Sequence, residues 1–415
     1  MRELERATEL ILREIEDSRE EITDFLRELV SIPTVNPPGT DYEKCARLIS
    51  RKLKAANIES KLVEVSQGEL KASGVDLPRV SVLGNLKGTI RKPVLHINGH
   101  FDVVPPGSGW TCDPFGGEIR DGNLYGRGSS DMKGSLAAAI MTLVVIARTG
   151  IQLKGDVTLS ATPDEETGGE LGAGYLLKNG LVRGDGCVVA EGAGVNEVSM
   201  GHKGVLWMEV RTHGRATHAS RPHLGVNAVT KMANVIIGLN ELSQKLEKKR
   251  TESSKLFMDT PCPSLMVGGT IRGGIKTNIV PDSCVLTLDR RLLLEENTKE
   301  AEDEVLSSLA KLRSEDAELD VQANSLLRIE PMRCDPNAEI LQTLVRSVTK
   351  TSGVPPRIIA TDGFTDAHYF ATQMPTVMHG AGLREQGHTK NEYVVIDHVI
   401  RTCKTFALSA IDMLL

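Results

Sequence analysis

Aromatic side chains are scarce: they make up 3% of the 415 residues, so any core has to be built from Val, Leu, Ile, Ala and Met. Paired cysteines are missing as well. The seven that occur (Cys45, Cys112, Cys187, Cys262, Cys284, Cys334 and Cys403) lie far apart, are odd in number and form no CxxC pair. That pattern argues against a disulfide framework or a structural thiolate zinc site, and for reduced thiols in the cytoplasm. No apolar run is read as long enough to span a membrane. The charged N-terminus, MRELERATELILREIEDSREE, lacks the apolar core of a signal peptide. A formal charge of −6 leaves no basic footprint for nucleic acid or anionic lipid. Several catalytic patterns are also absent. There is no GxSxG nucleophile elbow. GRGSSDMKGS has its lysine before the glycine and an acid inside the loop, so it fails as a phosphate cradle, and LGAGYLLKNG lacks the GxGxxG spacing.

What remains is an ordinary globular composition, 40% hydrophobic and 25% charged, in a chain long enough for two or three domains. Residues 1–60 read as helix, broken at Pro33 and at the turn Asn36-Pro37-Pro38-Gly39. Apolar strands then alternate with helices: strands at Val94–Asn98, Val157–Thr162, Cys187–Ala190 and Thr376–Met378, helices at Gly134–Arg148 and Gly172–Asn179. This alternation predicts an α/β layer with a mixed, mostly parallel sheet. From Gly201 the order changes to strand (Val205–Thr212), helix (Val226–Lys248), two strands (Ser264–Ile271, Ser283–Arg290), helix (Lys299–Leu312) and strand (Leu319–Ala323). That βαββαβ order is a ferredoxin-like unit. It is read as an insertion at 203–325 into one α/β domain formed by 1–202 and 326–415.

Five segments carry an acid or a histidine at or just beyond a strand end. VLHINGHFDVVP supplies His100 and Asp102, GRGSSDMKGS supplies Asp131, and VTLSATPDEETGG supplies Asp164, Glu165 and Glu166. CVVAEGAG supplies Glu191, and PTVMHGAGLREQGHTKNEY supplies His388. In open α/β sheets ligands bind outside the carboxyl ends of the strands, so these side chains are placed to converge. Two imidazoles with several carboxylates suit Zn²⁺, with Co²⁺ or Mn²⁺ as substitutes. A cation pair about 3.5–4 Å apart needs a bridging ligand, and a carboxylate is the natural one. Asp102, two residues past His100, is expected to hold the other ring N–H of that histidine. Adjacent Glu165 and Glu166 point opposite ways in an extended segment. One can then ligate metal while the other takes a proton from the attacking water.

GHFDVVPPGSGW, DPFGGEIRDGNLYGRGSSDMKG, DEETGGELG, GRATHASRPHLGVNAV, NIVPDSCVLTLDRR and GHTKNEY resemble, in that order, the family of acetylornithine deacetylase, succinyl-diaminopimelate desuccinylase, aminoacylase and glutamate-type carboxypeptidases. The resemblance implies a zinc-peptidase-like catalytic domain with an inserted ferredoxin-like lid that builds a homodimer. It also implies two divalent cations, Zn most of all, with His100, Asp131 and Glu191 on one and Asp131, Glu166 and His388 on the other. Asp131 bridges, a cis peptide follows it, and Glu165 is the general base. His218 is implied to reach the partner subunit's active site and stabilise the developing oxyanion. Arg291 is implied to clamp a substrate carboxylate, with Asn278 a further substrate contact. Gly380 and Gly382 are read as letting backbone approach the substrate. The reaction implied is hydrolysis of the amide bond of a small N-acyl amino acid, with dipeptidase or glutamate-type carboxypeptidase action as the alternative and an inactive scaffold as the rival class.

Overall fold

The computed structural model describes residues 2–192 and 194–415. The chain divides into two compact units, one formed by 1–200, 333–359 and 365–415, the other by 201–332 and 360–364. The sequence-based boundary at 325/326 falls inside a strand, Asp320–Ile329, that stays hydrogen-bonded to the sheet of the second unit. A strand cannot be cut in mid-ladder, so the boundary moves to Met332.

In the first unit the sheet runs in the order Glu59–Glu64, Val80–Leu86, Asp156–Thr162, Val94–His100, Gly186–Val189, Thr376–Met378. The last four of these strands are mutually parallel, with His100 beside Thr162 and Met378 beside Val189. The first two are antiparallel additions at one edge, and the reading of 1–60 as helix with no strand before Val94 missed them. Three helices, Arg2–Asp17, Arg19–Val30 and Tyr42–Ala55, precede that edge. The parallel register puts His100, Thr162, Val189 and Met378 at the same end of the sheet, and the chain leaves each strand into a short loop there.

Beneath the sheet runs the helix Gly134–Thr149, buried from Gly134 through Ile146. Runs such as Ala137-Ala138-Ala139 and Val144-Val145 fill the interior with small and branched side chains in place of rings. Together with the preceding turn this stretch, Ser129–Thr149, is apolar and long enough to cross a membrane, contrary to the sequence reading. It is 89% buried within the fold, the signature of a core helix. Gly150 ends it in the left-handed region at φ 69. The helix expected at Gly172–Asn179 shrinks to Tyr175–Lys178. Gly172 takes backbone angles (φ −105, ψ −105) outside the helical range and interrupts it.

The second unit is a four-stranded antiparallel sheet in the order Ser264–Gly273, Ser283–Leu292, Gly204–His213, Asp320–Ile329, the strand order of a ferredoxin-like βαββαβ unit. Leu206, Met208 and Val210 alternate inward against Met232, Val235 and Leu239 of the helix Ala228–Leu246 and Val305 and Leu309 of the helix Thr298–Glu315. Asn227 caps the first helix through the N–H groups of Val229 and Thr230, and Asn297 caps the second through that of Glu300.

Candidate metal centre

The four parallel strands of the first unit deliver the predicted acids and histidines to one place. His100 ends its strand fully buried, with Nε2 3.4 Å from Asp131 Oδ1 and 3.8 Å from Glu165 Oε2. Asp131 lies before the core helix, and its peptide bond to Met132 is cis, as the resemblance implied. Its other oxygen lies 3.4 Å from His388 Nε2, which is in turn 3.0 Å from Glu166 Oε2. One ligand atom each from Asp131, Glu166 and His388 fall within 4.8 Å of one another. Glu191, just past Gly186–Val189, is close enough for its charge to act on Glu165.

The electrostatics show what this cluster needs. Burial, and then the charge of Glu191, hold Glu165 well above the usual carboxylate range. Burial and then Asp131 do the same to Glu191, and burial raises Glu166. Burial works against a charged His100, yet the carboxylates of Asp102 and Asp131 beside it hold its imidazole well above its ordinary value. His388 is raised by Glu166 first. Among the described residues His100 Nε2, Glu166 Oε1 and Glu191 Oε2 are buried without a hydrogen-bond partner. Buried polar atoms are seldom left so. Crowded carboxylates with orphaned donor atoms beside two imidazoles fit divalent cations, which satisfy the lone pairs and cancel the repulsion together.

One expectation needs correction. Glu165 and Glu166 do not sit in an extended segment but in a 3₁₀ turn, Glu165–Thr167. Their N–H groups donate to Asp102 Oδ1 (3.3 Å) and Oδ2 (3.2 Å), so both side chains turn toward imidazoles, each toward a different one. The Asp102 carboxylate thus supports that turn as well as facing His100. The closer partner of His100 Nδ1 is the Asp102 backbone carbonyl at 3.1 Å, with the carboxylate at 3.5 Å. Gly380 and Gly382 are also closely packed: a Cβ on the first would lie 2.5 Å from Ser135 Oγ, and on the second 2.7 Å from the Ser130 carbonyl. A side chain at either position would push the loop off its own neighbours before any substrate was involved.

Three of the predicted residues lie in the second unit. His218 is exposed, its Nδ1 2.7 Å from Ser220 Oγ, and it pairs with Ile279 in an isolated bridge. Asn278, also exposed, accepts the Ala219 N–H on its backbone carbonyl. Arg291 is held by Asp289 through two hydrogen bonds of 2.7 and 2.9 Å. Arg290 faces the other way, fully buried against Glu296 and Glu304.

Sequence reasoning missed the supports. Asn36 donates to Asp102 Oδ2 at 3.0 Å. Asp164, left-handed at φ 69, accepts from Tyr42 at 3.1 Å and from the buried Arg79 at 2.6 Å. Asp366, buried and pushed up to about 7 by burial, accepts from Thr162 at 3.0 Å. Glu392 is a further buried carboxylate beside Asp131. Only the position of Asn36 in a Pro-Pro turn, and of Glu392 in GHTKNEY, carried any signal.

Residues 96–412 match the model of Peptidase family M20/M25/M40. The chain is 30% identical over 316 residues to an acetylornithine deacetylase of Edwardsiella ictaluri, covering 74% of this chain and 77% of the relative. Its fold is similar to that of human carnosine dipeptidase 1 (TM-score 0.78, 19% identity, 98% of each chain covered). It is also similar to a dinuclear metal-binding peptidase of Bacillus subtilis (TM-score 0.68, 16% identity, 96% and 99% covered). A family match over most of the chain, with a carboxylate–imidazole cluster fit for cations, means that the chain belongs to Peptidase family M20/M25/M40 and is a metal-dependent hydrolase.

Proposed function

We propose that the protein is a deacylase that cleaves the amide bond of a small N-acyl amino acid, in the manner of an acetylornithine deacetylase or succinyl-diaminopimelate desuccinylase. The observation that carries the chemistry is Asp131, which presents one oxygen to His100 and the other to His388, each at 3.4 Å, with Glu165 beside them. The acyl substrate rests on the 30%-identical relative named acetylornithine deacetylase. His100, Asp131 and Glu191 would hold one cation, and Asp131, Glu166 and His388 the second. Zn²⁺ is the best match to this donor set, with Co²⁺ or Mn²⁺ as substitutes. Bound there, such cations supply Lewis acidity to the substrate carbonyl and lower the pKa of water.

Glu165 takes the proton from the attacking water and returns it to the departing amine nitrogen. Its Oε2 lies 3.8 Å from His100 Nε2, at the edge of the ligand cluster, where it can reach a water held there. Asp102 keeps the Glu165–Glu166 turn in place through two backbone N–H groups. In this reading the enzyme is a cytoplasmic homodimer in which His218 donates to the developing oxyanion across the subunits. Arg291, pre-set by Asp289, grips the substrate carboxylate.

The test is a screen of N-acetyl, N-succinyl and N-formyl amino acids and of dipeptides, run on chelator-stripped protein and on protein resupplied with Zn²⁺, Co²⁺ or Mn²⁺. Turnover of an N-acyl amino acid only after resupply is the expected result. Turnover confined to dipeptides makes the protein a peptidase, and undiminished turnover in stripped protein overturns the mechanism.

A further inference from the structure

Glu392 is fully buried four residues beyond His388, and it gathers donors from a single stretch of chain. Its Oε1 accepts the backbone N–H groups of Ser130 (2.8 Å) and Asp131 (3.0 Å). Its Oε2 accepts the Gly128 N–H (3.0 Å) and the Arg127 guanidinium (2.6 Å). Its own backbone carbonyl accepts the N–H of Gly126 at 2.9 Å. The segment so held is irregular, with Gly128 left-handed at φ 84, and it ends on the aspartate that stands between the two imidazoles.

A carboxylate taking several N–H donors makes strong, directional hydrogen bonds, and Arg127 balances its charge. Fixing the Asp131 N–H fixes the origin of the Asp131 side chain, whose two oxygens then reach His100 and His388. Glu392 also belongs to the same short run of chain as His388, just before the strand Tyr393–Val395, which pairs with Asn123–Tyr125. A single buried side chain thus joins the loop carrying one ligand to the loop carrying another.

We infer that Glu392 is a positioning residue for the cation pair: it holds the Asp131 loop in ligating shape and in register with His388. Cation affinity therefore depends on it beyond any effect on folding. This inference rests on the metal reading above. A side chain that merely satisfied loose N–H groups would affect stability and leave affinity alone.

The experiment compares full-length wild type, Glu392→Gln and Asp156→Asn, each stripped of metal. Asp156 serves as the control. It is buried in the same unit, accepts the Gly88 N–H at 2.8 Å, and starts the strand whose far end, Thr162, lies beside His100. Co²⁺ is titrated into each protein, followed by its visible absorption and by chelator competition, and thermal melting is recorded on the same samples. Glu392→Gln is expected to lose about 10–100-fold in affinity while folded, the usual cost of disturbing groups that orient ligands. Asp156→Asn is expected to melt earlier with affinity within about twofold of wild type, since it orients no ligand. Unchanged affinity in Glu392→Gln, or an equal loss in Asp156→Asn, overturns the inference. If wild type itself takes up no Co²⁺, the metal reading fails instead, and this inference with it. Should Glu392→Gln not fold, Arg127→Met, which removes one donor and the balancing charge, is measured in its place. Weakened affinity in it supports the inference, and unchanged affinity overturns it.

Discussion

His388 Nε2 stands 3.0 Å from Glu166 Oε2, although the two residues leave strands separated in the sheet and lie far apart in the chain. Reaching that position puts His388 at φ 62, a left-handed conformation that costs a non-glycine residue energy. Strain of this kind persists where the surroundings over-determine it, and such places are often functional.

If Glu165 is the general base and the other acids supply the ligand atoms, Glu165→Gln should keep its cations and lose turnover. A loss of about 10²–10⁴-fold in kcat is expected for a general base. Metal analysis alongside steady-state kinetics checks both halves, and turnover near wild type would remove Glu165 from the mechanism.

If His218 serves the partner's site, inactive His218→Ala and Glu165→Ala subunits should complement each other. Mixed dimers regain one intact site of two, so activity reappears after subunit exchange. Confirmed exchange with no recovery would confine His218 to its own subunit.

Arg291 is aligned by Asp289 and partly exposed, whereas Arg290 is committed to Glu296 and Glu304 in the interior. Arg291→Ala should raise KM about 10–100-fold for substrates with a free carboxylate, the loss expected for a charged hydrogen-bonded pair. Amidated analogues should be little affected. An equal loss on both kinds of substrate would end the clamp assignment.

His96 is buried with its ring nitrogens 2.9 Å from Thr158 Oγ1 and 2.8 Å from Ser160 Oγ, and burial pushes its pKa down to about 3. An unfolded histidine titrates near 6.5, so between these values the unfolded chain binds the extra proton. The stability that neutral His96 contributes is complete above about pH 6.5 and is lost as pH falls toward 3. The slope of unfolding free energy against pH in that window should be shallower in His96→Gln, by up to about 1.4 kcal/mol per pH unit. Denaturant melts at several pH values measure this, and parallel curves would show that His96 is not the proton acceptor.

Much of this protein was legible as a string. The order of strand and helix segments announced the βαββαβ unit, because the apolar patterns that mark each segment are local properties that survive without a third dimension. His100, Asp131, Glu165, Glu166, Glu191 and His388 stood out because each follows an apolar strand or opens a helix, and parallel strands send such positions to one edge. The edge strands Glu59–Glu64 and Val80–Leu86 were not legible, since their pairing is settled by neighbours the string does not show.

What packing alone decided is how the chemistry is held. Asp102 was expected to grip an imidazole; its carboxylate faces His100 and also receives the N–H groups of the Glu165–Glu166 turn. Nothing in the string assigns Arg79, Asn36 and Glu392 their partners, yet they fix Asp164, Asp102 and Asp131. Local residue type determines which groups can ligate or move a proton. Which buried donor meets which carboxylate depends on distances between segments remote in the chain, and only the folded molecule sets those distances.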